Sequence, residues 1–130
     1  MGTKPELLTI DDIKNLVGAF YDRIKNDALL APVFNESIND RWPQHLEKMY
    51  RFWQTVLLEE HTYFGSPFLP HAQLPVDHEH FVQWIALFTK TVNELFEGEK
   101  AKEAIWHAEK MAEMFEHKIA WVKQNPLNIL

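Results

Sequence analysis

The sequence of 130 residues contains no cysteine. That absence excludes disulfides, thiolate nucleophiles, iron–sulfur clusters and cysteine zinc sites, so any metal must be held by other side chains, chiefly His, Asp, Glu, Tyr or Met. It also agrees with a reducing compartment. The N-terminal stretch MGTKPELLTIDD has no apolar run behind a basic start and shows no secretory signal. We therefore expect a cytoplasmic protein.

Long apolar runs and an excess of positive charge are missing as well. No run approaches the roughly 20 apolar residues needed to cross a bilayer, so a membrane is not an expected partner. The net charge of -6 opposes binding to phosphate backbones, and no basic stripe offsets it. Nucleic acid is therefore not an expected partner either. With four glycines, no repeat and no flexible linker, residues 1–130 are predicted to form a single domain.

Apolar residues at helical spacing dominate the chain, and no segment gives a convincing strand pattern. The first predicted helix begins at a capping-box-like Thr9 and reaches about Ile24. Pro32 then breaks the pattern, and a polar connection leads to a second helix, from Trp42 to about Leu58. The segment around Pro32 is therefore predicted to be a connection.

Two further helices complete the prediction. The third opens at Asp77, a residue suited to an N-cap, and stops at Gly98. The fourth follows at once and carries the longest apolar stripe of the chain, from Ala101 to Val122, before it ends at Asn125. The predicted fold class is all-α.

The second predicted helix has two adjacent apolar seams, although one would suffice for packing. One seam comprises Trp42, Leu46, Tyr50, Trp53 and Leu57, and the other comprises His45, Met49, Phe52 and Val56. The chain also has a surplus of large flat side chains, with nine Phe, five Trp and three Tyr. The extra seam and the aromatics indicate either a flat apolar cofactor or an aromatic-rich helical core.

Residues 59–75, EEHTYFGSPFLPHAQLP, form the only long segment without a regular period. A compact domain rarely keeps such a connection unless it is functional. It contains His71, whereas His78 and His80 lie in the first turn of the third helix and point to different sides. A metal hydrolase would require these three histidines to converge with a glutamate such as Glu79.

Three polar-tipped aromatic residues, Tyr21, His45 and Trp84, project from apolar faces of three different helices. Each alone is consistent with ordinary packing. Taken with His71, they lie in five stretches: AFYDRI, APVFN, W-x-x-H-x-x-K-M-x-x-F-W, P-H-x-x-L-P and HFVQWIALF. In these stretches the sequence resembles the truncated haemoglobins, and the lack of a Gly-Gly pair agrees with their third group.

The resemblance implies a truncated globin-like 2-on-2 helical sandwich around a haem. It makes His71 the proximal histidine that ligates the iron and His45 the residue of the distal position. It assigns Tyr21 to the tyrosine that points at bound ligand, and Trp84 to the tryptophan that closes the distal pocket. Tyr21, His45 and Trp84 are thus the candidate catalytic residues, and whether His45 gates the pocket or binds iron is left open.

The same resemblance supplies the haem contacts. Phe34 matches the phenylalanine that packs on the porphyrin, and Lys48 falls where the family often places a cation for a propionate. The other expected contacts are Met49, Phe52, Trp53, Leu74, Phe88 and Phe115. Without cysteine the cofactor would be non-covalent, and therefore haem b.

The function implied is the binding of oxygen, nitric oxide and carbon monoxide. If two donors each contribute about 1.5 kcal/mol to bound oxygen, its loss slows roughly a hundredfold. Such retention suits nitric oxide dioxygenase-like or peroxidase-like detoxification, with an unidentified reductase, better than reversible delivery. The alternative is a cofactor-free all-helical interaction or sensor module.

Overall fold

Five α-helices make up most of the computed structural model, which describes residues 3–72 and 74–125, and of Leu69 only the backbone. They are α1 (Ile10–Lys25), α2 (Ala31–Ile38), α3 (Trp42–Leu58), α4 (His78–Leu95) and α5 (Glu99–Gln124). A short 3₁₀ turn, Leu69–His71, interrupts the long connection between α3 and α4. The described residues form no strand beyond one isolated bridge between Glu6 and Glu97.

The helix starts follow from local capping. The Thr9 hydroxyl accepts from the Asp12 backbone N–H at 3.2 Å, and the Asp12 carboxylate accepts from the Thr9 N–H at 3.0 Å. These reciprocal bonds satisfy two N–H groups that the first turn of α1 would otherwise leave without a partner. At α4, His80 Nδ1 accepts from the backbone N–H of Asp77 at 3.0 Å.

The predicted connection around Pro32 is wrong, because this segment forms α2. Proline lies in the first turn of α2, where its fixed φ suits a helix and its missing N–H breaks no bond. The Asp27 carboxylate accepts from the N–H groups of Leu29 and Leu30 at 3.1 and 2.9 Å and orders the approach to the helix. The extra helix carries Phe34.

The third predicted helix also ends earlier than expected. Helix α4 ends at Leu95, and Phe96 is already extended. The next backbone N–H, of Glu97, donates to the Pro5 carbonyl at 3.0 Å instead of continuing the helix. Gly98 has φ of 99°, a value that few other residues adopt, and caps the start of α5.

The core lies where α1 packs on α3 and α4, and where α4 packs along α5. Small side chains let α5 approach closely, since Ala101, Ala104 and Ala108 are all buried. Phe88 of α4 is fully buried and stacks on Trp53 of α3. None of the described helices is long and apolar enough to traverse a bilayer. The packed centre leaves an open space beside α2 and the long connection.

Candidate haem site

A cavity of about 470 Å³ lies between the helices and the connection that follows α3. Apolar and aromatic side chains from all five helices line most of it, with few polar groups among them. Its volume falls within the range of roughly 300–1,000 Å³ typical of ligand and cofactor sites. His45, Met49 and Phe52 of the second apolar seam of α3 face this space, which accounts for a seam that core packing does not need.

Nearly all of the predicted site residues line this one cavity. They are Tyr21, Phe34, His45, Lys48, Met49, Phe52, Trp53, His71, Leu74, Trp84 and Phe115. The exception is Phe88, which lies one layer behind. Its ring stacks on Trp53 and Trp84 at centroid distances of 5.1 and 5.7 Å. Phe88 thus supports two lining side chains rather than facing the cavity.

His71 sits in the 3₁₀ turn of the connection, in a part of the lining that we call the loop wall: Pro67, Pro70, His71 and Leu74. Its Nδ1 lies 2.6 Å from the Pro67 carbonyl oxygen. Because a carbonyl only accepts, Nδ1 must carry the proton. Burial lowers the pKa of His71 below its usual range, and the Pro67 bond opposes this only in part. The neutral ring therefore leaves the Nε2 lone pair free to bind a metal.

A second part of the lining, the helical wall, comprises Tyr21, Phe34, His45 and Trp84. The Tyr21 ring meets His45 edge-on at a centroid distance of 5.1 Å and is tilted against Phe34 at 6.1 Å. Burial raises the pKa of the Tyr21 phenol, so its hydroxyl keeps its proton and remains a hydrogen-bond donor.

His45 is the least satisfied polar group of the cavity. Its Nε2 is buried and has no hydrogen-bond partner among the described residues. Burial first, and then the charges of His71, Lys48 and Arg41, lowers the pKa of His45 to about 4. The imidazole is thus neutral at pH 7 and costly to leave without a partner. A ligand or cofactor in the cavity would remove that cost.

Two cations, Arg41 and Lys48, stand at the exposed side of the cavity. Neither forms an ion pair with another residue of the described part of the chain. The Arg41 guanidinium instead donates to the carbonyl oxygen of Ser37 at 2.6 Å, at the end of α2. Cations at the mouth of an apolar cavity suit a cofactor whose body is apolar and whose edge carries carboxylates. The residues present therefore fit haem.

Several lining residues were not predicted from the sequence. Helix α2, which was not predicted, contributes Val33, Ser37 and Ile38, and the aperiodic connection contributes Tyr63. His80 also lines the cavity, from the first turn of α4. The Pro32 signal could have located α2, because proline is common in a first helical turn.

The alternative metal site does not assemble. Within residues 3–72 and 74–125, the one His/carboxylate group compatible with a metal ion is Asp77, Glu79 and His80, and His71 and His78 are not part of it. The exposed His78 instead contacts Glu116 at 2.7 Å. The structure therefore does not bring together the residues that a metal hydrolase would require.

A family model described as bacterial-like globin matches residues 9–120. The chain belongs to the bacterial-like globin family. This globin is 30% identical over 120 residues to the group 3 truncated hemoglobin ctb of Campylobacter jejuni, an alignment that covers 89% of this chain and 94% of that protein. The crystal structure of a group III truncated hemoglobin from Campylobacter jejuni matches the fold with a TM-score of 0.82 at 30% identity, over 90% of this chain and 95% of that one.

These findings confirm two predictions made from the sequence. The all-α truncated globin fold is present, and the resemblance to the third group of truncated haemoglobins is real. Membership of the globins implies a haem cofactor and diatomic gas ligands.

Proposed function

We propose that this globin holds haem b non-covalently in the cavity, with His71 Nε2 as the iron ligand, and that it binds oxygen, nitric oxide and carbon monoxide. The observation that carries the proposal is the 2.6 Å bond from His71 Nδ1 to the Pro67 carbonyl, because it leaves a neutral Nε2 lone pair at the cavity. Haem, when bound, supplies an iron with one open position for a diatomic ligand.

The chain's own residues would hold the cofactor in two ways. Phe52, Trp53 and Phe115 supply flat apolar surface, and burying that surface stabilises binding. Arg41 and Lys48 supply positive charge for the two propionates. No cysteine is present to form a covalent attachment.

The helical wall would retain the ligand through its donors. The Tyr21 hydroxyl is protonated, the Trp84 indole can only donate, and His45 is neutral with a buried Nε2 that has no partner among the described residues. Two donors at about 1.5 kcal/mol each would slow oxygen loss roughly a hundredfold. Retention of that kind disfavours reversible delivery.

Donors fixed around one ligand favour chemistry on that ligand, because they stabilise negative charge as it develops. We therefore extend the proposal to detoxification of nitric oxide or peroxide. That reaction needs an electron donor, and a separate reductase is the class of partner that would supply it.

An absorption spectrum of the purified protein, before and after stoichiometric hemin, tests the proposal. A Soret band that sharpens on reduction and shifts with carbon monoxide is expected, and a His71→Ala variant should lose the histidine-ligated ferrous spectrum. A wild-type protein that takes up no hemin would instead support the cofactor-free helical module. A spectrum that His71→Ala leaves unchanged would refute His71 as the ligand.

A further inference from the structure

The chain turns sharply where α3 ends and then runs back beside the helix. Glu59 has φ of 58°, a left-handed conformation that reverses the direction of the backbone. The next residues return to the last two turns of α3, and Thr62 and Tyr63 hydrogen-bond there. The reversal delivers Tyr63 to the cavity.

One hydroxyl, that of Thr55, holds this return. Thr55 Oγ1 accepts from the backbone N–H of Thr62 at 3.0 Å and from that of Tyr63 at 2.9 Å. It donates to the Arg51 carbonyl at 2.9 Å, so both its donor and its acceptor capacity are used. Two backbone N–H groups of the connection thus depend on one side-chain oxygen.

A second residue of α3 reinforces the same return. Gln54 is buried, and its carbonyl oxygen accepts from the Thr62 hydroxyl at 2.8 Å. Its amide nitrogen donates to the Glu60 carboxylate at 3.1 Å. These bonds fix the connection, but among the residues that the structure describes only Thr55 hydrogen-bonds to the backbone N–H of Tyr63.

Tyr63 forms part of the cavity lining and packs against α3. Its ring meets the ring of Phe52 edge-on at a centroid distance of 5.5 Å, and both side chains line the cavity. The far end of the connection is tied as well, since Lys123 Nζ donates to the Val76 carbonyl at 2.8 Å. His71 therefore lies in a segment that is pinned on both sides.

We propose that Thr55 is a positioning residue that holds Tyr63 in the wall around haem, so that loss of the Thr55 hydroxyl speeds haem release. The inference rests on haem occupying this cavity, as proposed above. Without the Thr55 hydroxyl, the connection would detach from α3 part of the time and would leave the cavity open during that time. The apparent affinity for haem then falls in proportion to the fraction of molecules in which the cavity is closed.

The test is the rate of hemin transfer from the loaded protein to excess apomyoglobin. Thr55→Val keeps the shape but removes the hydroxyl, and we expect transfer about tenfold faster. Thr55→Ser keeps the hydroxyl and should stay within about twofold of wild type. Thr91→Val is the matched control, because Thr91 is a fully buried threonine of α4 that bonds Arg23 and the Leu87 carbonyl away from the cavity.

A double variant tests whether Thr55 acts through Tyr63. Tyr63→Ala should speed transfer to a similar degree, and adding Thr55→Val should then change little, because interacting residues are non-additive. Amide hydrogen exchange at Thr62 and Tyr63 gives a readout that does not depend on haem, and Thr55→Val should lose protection at both positions.

Several outcomes would overturn the inference. One such outcome is that hemin transfer is equally fast from Thr55→Val, Thr55→Ser and wild type although Thr55→Val loses exchange protection. It would show that the attachment of Thr62 and Tyr63 to α3 does not slow haem release. Equally fast transfer from Thr91→Val would show general destabilisation instead. Failure of wild type to take up hemin would refute the proposed function and this inference together, whereas the first two outcomes leave the proposed function intact.

Discussion

The helical wall and the loop wall of the cavity are held by different kinds of contact. Tyr21 and His45 of the helical wall form a triangle with Trp42, in which every ring meets the other two edge-on at centroid distances of 5.1 to 5.8 Å. In the loop wall, the hydrogen bond of the His71 ring is to the Pro67 carbonyl, and its aromatic contact is with Phe115 at a centroid distance of 4.8 Å.

The difference indicates how each wall should respond to substitution. A ring that touches two or three others is held redundantly, and the loss of one contact shifts it little. The connection has no core of its own and is fixed by a few hydrogen bonds, each of which stabilises it separately. We therefore expect large effects from single changes in the loop wall, and graded effects from changes in the helical wall.

His71→Ala should have the largest effect, because it removes the proposed iron ligand. Changes to the groups that hydrogen-bond to a metal ligand already cost about 10–100-fold in metal affinity, so loss of the ligand itself should weaken hemin binding by at least about a hundredfold. A hemin titration followed in the Soret region measures this. His78→Ala, a change at an exposed histidine of the same region, is the control and should bind as wild type does.

His45 should make stability depend on pH. Its pKa is about 4 in the folded protein, below the usual 6.5, so between these values the unfolded chain binds more protons. The contribution of neutral His45 to the free energy of unfolding is therefore fully present above pH 6.5 and is lost as the pH drops toward 4. After a discount for partial solvent screening, the loss at pH 4.5 is about 2 kcal/mol.

Urea unfolding of the protein without hemin at pH 7 and pH 4.5 measures that loss. His45→Gln should lose about 2 kcal/mol less than wild type between the two pH values. Equal losses in both proteins would mean that His45 is solvated, and that the helical wall is more open than its packing indicates.

Tyr21→Phe should change ligand retention and leave the wall in place. Removal of one hydroxyl donor, at about 1.5 kcal/mol, should speed oxygen dissociation from the ferrous protein roughly tenfold. Tyr50→Phe is the control, since Tyr50 lies half-buried on α3 and carries Lys14 at 5.7 Å over its ring. Stopped-flow displacement of oxygen by carbon monoxide gives both rates. An unchanged dissociation rate in Tyr21→Phe would refute the proposed role of Tyr21 as a donor to bound oxygen.

The two walls also differ in how far the sequence could predict them. Periodicity placed Tyr21, His45 and Trp84 on apolar faces of α1, α3 and α4, because helical spacing decides which side chains share a face. It could not show that these faces surround a common cavity, and that expectation came from the resemblance to a known family. Phe88 shows the limit, since its face was right but its depth, behind Trp84, depends on packing.

The loop wall was less accessible, because residues 59–75 carry no period from which contacts follow. His71 was found through the short motif P-H-x-x-L-P, whereas Tyr63 has no comparable signal. Its position depends on a hydrogen bond from its own backbone N–H to Thr55, eight residues earlier. Bonds between backbone and side chain of this kind leave no pattern in hydrophobicity.

The smallest effect should come from Lys25→Met at the outer side of the helical wall. The Lys25 ammonium lies 4.3 Å from the centroid of Trp42, and an exposed cation–π contact contributes about 0.5–1 kcal/mol. Urea unfolding should show that loss, while oxygen dissociation should remain within about twofold of wild type, because Trp42 still contacts both Tyr21 and His45. Lys14→Met, which alters the longer contact to Tyr50, should cost less. If Lys25→Met instead sped oxygen loss as much as Tyr21→Phe, the ring triangle would depend on one outer contact. The helical wall would then be no more redundant than the loop wall.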